Sequence, residues 1–321
     1  MKRVFILMIF ILLFNGCDDG NLTLETINFE DAATKSCSAN NIIYKLKENE
    51  ALLFEIPKTE FINEPTDPAV PRVIDINNST YRVVYRFYDG AVTEDNVCNT
   101  IPPAKPYVVD QWTATSGKIE IVTTTNIKAG TIAGSTVITG YNHRIVFKNI
   151  TFAKKNGNQV YETFVFGDYV TTSESALPFA FDKTVEQCAD KKQVYNYNGG
   201  EALTIDNIDP TLIVKEETPI NTPRIGLLGS VKNKLTYRLF NGLLPSTYFC
   251  NSIIPPLPTI TEEWIGTNGV ANTSGIIEVS TIKSGTTAFK HTIIIKNATL
   301  KKGNSSFKLG DSYIYGELIT F

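Results

Sequence analysis

Short runs of aromatic and β-branched residues, each closed by turn residues, set the pattern of this chain. Tyr81 to Tyr88 is rich in Tyr, Val and Phe and stops at Asp89-Gly90. A matching run stops at Asn241-Gly242, and Asp-Gly and Asn-Gly are the strongest short turn signals. His143 to Lys154 and Gln159 to Phe166 flank Lys155-Asn156-Gly157-Asn158, which predicts a hairpin, and Lys302-Gly303-Asn304 predicts its counterpart. No stretch keeps apolar residues at a 3.6 period, so helices are not expected. Roughly eight short strands per unit predict an all-β chain of two tandem, homologous β-sandwich-like domains, with a jelly-roll arrangement as the open alternative.

The tandem arrangement follows from a repeat. Sliding the chain on itself by 152 residues aligns Tyr85–Trp112 with Tyr237–Trp264 without a gap. Tyr85, Arg86, Gly90, Cys98, Asn99, Ile101, Pro103, Pro106 and Trp112 meet identical residues at Tyr237, Arg238, Gly242, Cys250, Asn251, Ile253, Pro255, Pro258 and Trp264. Nearby offsets pair Cys37 with Cys188, Tyr44 with Tyr195, Glu50 with Glu201, Ser116-Gly117 with Ser274-Gly275, and His143 with His291. Gly167-Asp168 is read against Gly310-Asp311. The copies are assigned to residues 23–172 and 173–321, and Thr171 to Ser175 has the composition of a linker. The first copy is longer between Thr124 and His143, the second between Trp264 and Ser274.

Ahead of the repeat stand Lys2 and Arg3, an unbroken apolar run from Val4 to Phe14, then Asn15-Gly16-Cys17-Asp18-Asp19. This is the charged start, apolar middle and small-residue end of an export leader over residues 1–16, and the run is too short to span a bilayer. Leu13-Phe14-Asn15-Gly16-Cys17 resembles the lipobox of bacterial lipoproteins in its relaxed, Bacteroidetes-type form. The resemblance implies lipidation of Cys17, a short tether over 17–22, and attachment to a membrane through the acyl chains. Asp18-Asp19 is similar to the acidic surface-export signal of those lipoproteins, which implies the outer membrane and a surface-exposed position.

Charge and cysteines narrow the picture further. The net charge is −3, and losing a leader that holds Lys2 and Arg3 makes it more negative, so no basic field exists to attract nucleic acid. Setting Cys17 aside, four cysteines allow three pairings. A self-sufficient unit that was copied carried its bridge with it, which favours Cys37–Cys98 and Cys188–Cys250. Neither a Cys-x-x-Cys nor a nearby His supports metal or redox chemistry at these cysteines, and no cofactor or metal is expected.

Few residues could carry chemistry. His143 and His291 occupy matched places, one per copy, with no Gly-x-Ser-x-Gly elbow beside either, and are expected as inherited framework. Trp112 and Trp264 follow Pro-rich corners and sit beside Asp110 and Glu262-Glu263. An exposed Trp beside acids could stack on a sugar ring; a Trp packed near the disulfide would be structural. The reading that follows is a cell-envelope lipoprotein acting as a non-catalytic binding or interaction module, its partner a polysaccharide or an envelope protein. A glycan-acting hydrolase or a carbohydrate-binding accessory protein of polysaccharide uptake is the alternative, the hydrolase needing two carboxyl groups at catalytic separation.

Overall fold

The computed structural model describes residues 26–67, 69–172, 177–188, 190 and 192–321. The expected leader, Cys17 and its tether, and part of the expected linker, lie outside the described residues.

The chain is nearly all β. The first half contains β1 (Lys35–Ser36), β2 (Ile42–Lys47), β3 (Glu50–Glu55), β4 (Arg72–Asp75), β5 (Arg82–Tyr88), β6 (Val108–Ala129), β7 (Thr136–Lys154) and β8 (Gly157–Thr172). One short helix, α1 (Glu94–Cys98), precedes β6. These strands form a single sheet in the order β1-β2-β3-β5-β6-β7-β8, with β4 added on β6. The sheet folds over itself: Leu52 and Phe54 of β3 share one core with Ile119 and Ile121 of β6, Phe147 of β7 and Phe166 of β8. The Phe54 and Phe147 rings meet edge to face at 5.2 Å.

Folding over requires the long strands to turn a corner. Register shifts on β6 between Ala114 and Lys118 mark the place, and Gly117 there has φ +135°. A Cβ at Gly117 would lie 2.8 Å from the Ile150 backbone, so only glycine lets the two strands cross this closely. Asn149 on the neighbouring strand takes φ 50°.

In the second half the same corners break the strands outright. Its elements are β9 (Glu186–Cys188), β10 (Gln193–Asn198), β11 (Glu201–Asp206), β12 (Arg224–Leu227), β13 (Lys234–Phe240), β14 (Ile260–Gly266), β15 (Ile276–Ser284), β16 (Ala288–Lys296), β17 (Ala298–Lys302), β18 (Ser305–Gly310) and β19 (Tyr313–Thr320). A sheet ordered β18-β17-β14-β13-β11-β10-β9 faces a second one ordered β12-β15-β16-β19. Leu203, Tyr237 and Trp264 of the first share a core with Ile277, Ile293 and Tyr315 of the second. Gly275 and Asn297, at φ 61° and 50°, stand at the breaks as Gly117 and Asn149 stand at the corners.

One part of the repeat register needs correction. Ile145 pairs with Gly167, and Ile293 pairs with Gly316, so Gly167 corresponds to Gly316 and not to Gly310. The physical reason is that β8 runs unbroken, whereas Gly310-Asp311 sits at the turn between β18 and β19 and has no equivalent in the first half.

Both bridges form as the duplication implies, Cys37–Cys98 and Cys188–Cys250. Each ties a segment across the outer face of its sheet and buries a second apolar cluster there, with Tyr44, Leu53, Tyr88 and Val97 in the first half and Tyr195, Phe240, Tyr248 and Phe249 in the second. Strands β3 and β11 are therefore apolar on both faces, which explains why Ala51-Leu52-Leu53-Phe54 and Ala202-Leu203 read as continuous rather than alternating.

The halves are not independent beads. The β6–β7 hairpin, the region where the first copy is longer, reaches onto the second half, and its Ile138 and Tyr141 are buried in the second half's core. The Asp311 amide donates to the Ala133 carbonyl at 2.8 Å, the Lys308 amide to Thr136 Oγ1 at 2.9 Å, and Tyr141 Oη lies 3.3 Å from Ser305 Oγ. The inserted length is a clasp.

Candidate functional site

The two histidines stand in matched settings, each within its own half. Both are fully buried. His143 Nδ1 lies 2.8 Å from Thr123 Oγ1, and Nε2 lies 2.9 Å from Thr171 Oγ1. Thr171 Oγ1 donates to Asn63 Oδ1 at 2.6 Å, so it accepts from His143, which places the ring proton on Nε2 and leaves Nδ1 to accept from Thr123. His291 repeats the arrangement, with Nδ1 2.8 Å from Thr281 Oγ1 and Nε2 2.9 Å from Thr320 Oγ1. There Arg224 Nη1 donates to Thr281 Oγ1 at 2.9 Å, so that hydroxyl turns its own proton to His291 Nδ1.

Burial, aided by the Arg72 charge, lowers the His143 pKa to about 4. The same two causes, with Arg224 in place of Arg72, lower that of His291. Each ring is a neutral, doubly hydrogen-bonded strut between three strands, with no open face from which to reach a substrate. Among the described residues, no group of three or more His, Cys, Asp and Glu is gathered in a way that could hold a metal ion.

The tryptophans correct the stacking-platform expectation. Trp112 and Trp264 are each 2% exposed. Trp112 packs on Tyr85 at 4.8 Å between ring centroids, and Trp264 on Phe307 at 5.0 Å. The neighbouring acids serve the indoles: Trp112 Nε1 donates to Asp110 Oδ2 at 2.8 Å, and Trp264 Nε1 to Glu262 Oε1 at 2.9 Å. Lysines cover what remains, with Lys154 Nζ 4.0 Å from the Trp112 centroid and Lys302 Nζ 5.4 Å from that of Trp264. Lys302 also pairs with Glu262 at 2.6 Å, while Glu263 pairs with Arg238 at 2.7 Å. At 2% exposure neither indole offers a face on which a sugar could stack.

Other matched acids are also engaged in the framework. Glu201 is buried, where it accepts from the amides of Phe179 and Ala180 and from Tyr237 Oη at 2.8 Å. Glu278 pairs with Lys296 at 2.9 Å.

Among the apolar side chains left outside the framework, those of the segment after each second cysteine recur at matched places in the two halves. Ile101 is 86% exposed and its repeat partner Ile253 is 82% exposed. Ile254 and Leu257 beside Ile253, and Tyr107 and Val109 beyond Ile101, are exposed too. These loops are held rigidly at both ends. Each begins at a disulfide. Each closes on the turn residue that ends the preceding strand: the Tyr107 amide donates to Asp89 Oδ1 at 2.8 Å, and the Thr259 amide to Asn241 Oδ1 at 2.9 Å. The Asp89 and Asn241 amides return bonds to the Tyr107 and Thr259 carbonyls. Prolines at 102, 103, 106, 255, 256 and 258 restrict the backbone between. The chemical capacity of such a loop is contact: a preorganised apolar tip loses little entropy on association. The repeat had shown Ile101 and Ile253 to be identical without giving them a role; the signal was an apolar residue retained among prolines.

No protein-family model, no curated protein and no solved structure matches this chain.

Proposed function

We propose that this chain is a lipid-anchored cell-envelope protein, exported by its leader and tethered at Cys17, that works as a non-catalytic binding module. The lipobox-like run Leu13-Phe14-Asn15-Gly16-Cys17 supports the anchor, and Asp18-Asp19 supports the outer membrane and an outward-facing position. Two disulfides in buried clusters suit an oxidising compartment.

The observation that carries the binding reading is the contrast between the repeat's rare residues and its loops. His, Trp and the acids beside them are committed to the interior, whereas Ile101 and Ile253 are kept outside on rigid, proline-rich loops where folding gains nothing from them. Two such loops on one clasped body give two contacts of one kind, and effective concentration raises the apparent affinity for a repeating or paired partner.

The test is retention of the mature chain, Ile101→Asp/Ile253→Asp against wild type, on washed envelopes of its own cells lacking the gene. The variant is expected to fold with unchanged stability and to lose at least tenfold in retention. Retention equal to wild type would overturn the loop reading.

A further inference from the structure

We infer that the second half holds a binding site for a single pyranose ring, in the cavity between the outer faces of β10, β11 and β13 and the disulfide-tethered segment that ends at Cys250. This rests on the binding-module reading and names a ligand class for the second of its two loops. The cavity has a volume of about 270 Å³. Gln193, Asp206 and Arg238 supply its polar groups, and Phe240, Tyr248 and Phe249 its aromatic walls. Ile254, from the exposed loop, stands at its edge.

The polar groups are fixed before any ligand arrives. Gln193 Nε2 donates to Asp206 Oδ1 at 2.6 Å, which sets the amide orientation. The other end, Gln193 Oε1, is buried with no hydrogen-bond partner. An acceptor buried without a partner is a standing cost to the folded chain, and a ligand hydroxyl admitted by a small rotation of the neighbouring side chains would relieve it. Arg238 is held by Glu263, Nε to Oε2 at 2.7 Å, and its Nη1 reaches Thr204 Oγ1 at 3.4 Å. Phe249 is steadied by stacking on Tyr195 at 4.5 Å and by the edge of Tyr248 at 5.2 Å.

These features select among ligand classes. An anion entering beside Arg238 would also meet the carboxylates of Asp206 and Glu263, and a cation would meet the guanidinium. A neutral ligand with neighbouring hydroxyls uses acceptor and donor together, and the C–H face of a sugar ring matches the aromatic and isoleucine walls. The volume suits one ring, so the expected ligand is a monosaccharide or the terminal residue of a glycan.

The first half serves as an internal comparison. At the places of Gln193, Tyr248 and Phe249 it carries Ile42, Asn96 and Val97, while Arg86 stands at the place of Arg238. The fold therefore tolerates the absence of the amide and of both aromatic walls, and their presence in the second half is an addition to the shared framework.

The test is an NMR titration of the full mature chain with glucose, galactose, mannose and N-acetylglucosamine, one at a time. At least one sugar is expected to give saturable shifts centred on residues 193, 206, 238 and 249. Arg238→Ala and Gln193→Ile should each weaken it at least tenfold, and Arg86→Ala should leave it unchanged. Gln193→Ile installs the first half's own residue, so a folded variant is expected. Shifts at these residues with none of the four sugars, or wild-type affinity in Gln193→Ile, would overturn the site. No sugar binding by the wild-type chain, with retention still dependent on Ile101 and Ile253, removes this site and leaves the loop reading standing; saturable sugar binding by the wild-type chain, with retention of Ile101→Asp/Ile253→Asp equal to wild type, does the reverse.

Discussion

Acidification provides a sharp perturbation of the framework, because His143 is buried in its neutral form. Its folded pKa is about 4 against an ordinary value of 6.5. The unfolded chain therefore binds the extra proton between pH 6.5 and 4, while the folded protein does not. Stability from this group is fully present above pH 6.5 and is lost as pH falls through that window. A difference of 2.5 pK units is worth about 3 kcal/mol once the loss is complete. His291 acts in the same direction, since its pKa is lowered by the same causes. The assay is urea unfolding followed by far-ultraviolet circular dichroism at intervals from pH 7.5 to 4. His143→Gln, which keeps hydrogen-bonding capacity and removes the titration, should be less stable than wild type at pH 7.5 and should have a flatter profile between pH 6.5 and 4. Carboxylate effects are common to both proteins and cancel in the difference. Asp209, held down to about pH 2 by Lys232, loses its contribution at more acidic pH than this window. Parallel wild-type and His143→Gln profiles would refute the buried-neutral assignment.

Other perturbations read other parts of the fold. Cys37→Ala/Cys98→Ala opens a loop of 61 residues and should lower unfolding free energy by up to about 4 kcal/mol, measured by urea midpoint. Gly117→Ala places a methyl group against the Ile150 backbone at a φ that disfavours it; a loss of about 1–3 kcal/mol is expected in the same measurement. Tyr141→Ala/Ile138→Ala should release the clasp, seen as two thermal transitions in place of one. Trp112→Ala should cost about 3–5 kcal/mol in stability, and where Trp112→Phe restores the fold, envelope retention should equal wild type.

Much of this was legible from residues alone because duplication repeats constraints. Cys98 and Cys250 fall at one register with identical neighbours, so a bridge needed by one copy is needed by both, and the pairing Cys37–Cys98 and Cys188–Cys250 follows. Asp89-Gly90 and Asn241-Gly242 end their strands through turn chemistry that is local. What was not legible depends on which face a side chain takes. A Trp after prolines and beside an acid has the same sequence whether its indole N–H pairs with that acid in the interior or its ring lies open; the packing of Tyr85 and Phe307 decides, and it is long-range. The clasp was visible only as extra length, because nothing within Asn126 to Tyr141 names the distant β18 edge it covers. Gly310 was matched wrongly to Gly167 because a turn in one copy and a continuous strand in the other both use Gly followed by Asp. Gln193 left no trace in the repeat, since its partner is Ile42.

Site-specific photocrosslinking on intact cells tests the central claim most directly, that contact is made by the paired proline-rich loops. A photoreactive residue would replace Ile101 or Ile253 and, as controls of comparable exposure elsewhere, Val70 or Val231. The same crosslinked envelope component is expected from positions 101 and 253 and none from 70 and 231. Equal crosslinking from all four positions, or none from 101 and 253, would contradict the account.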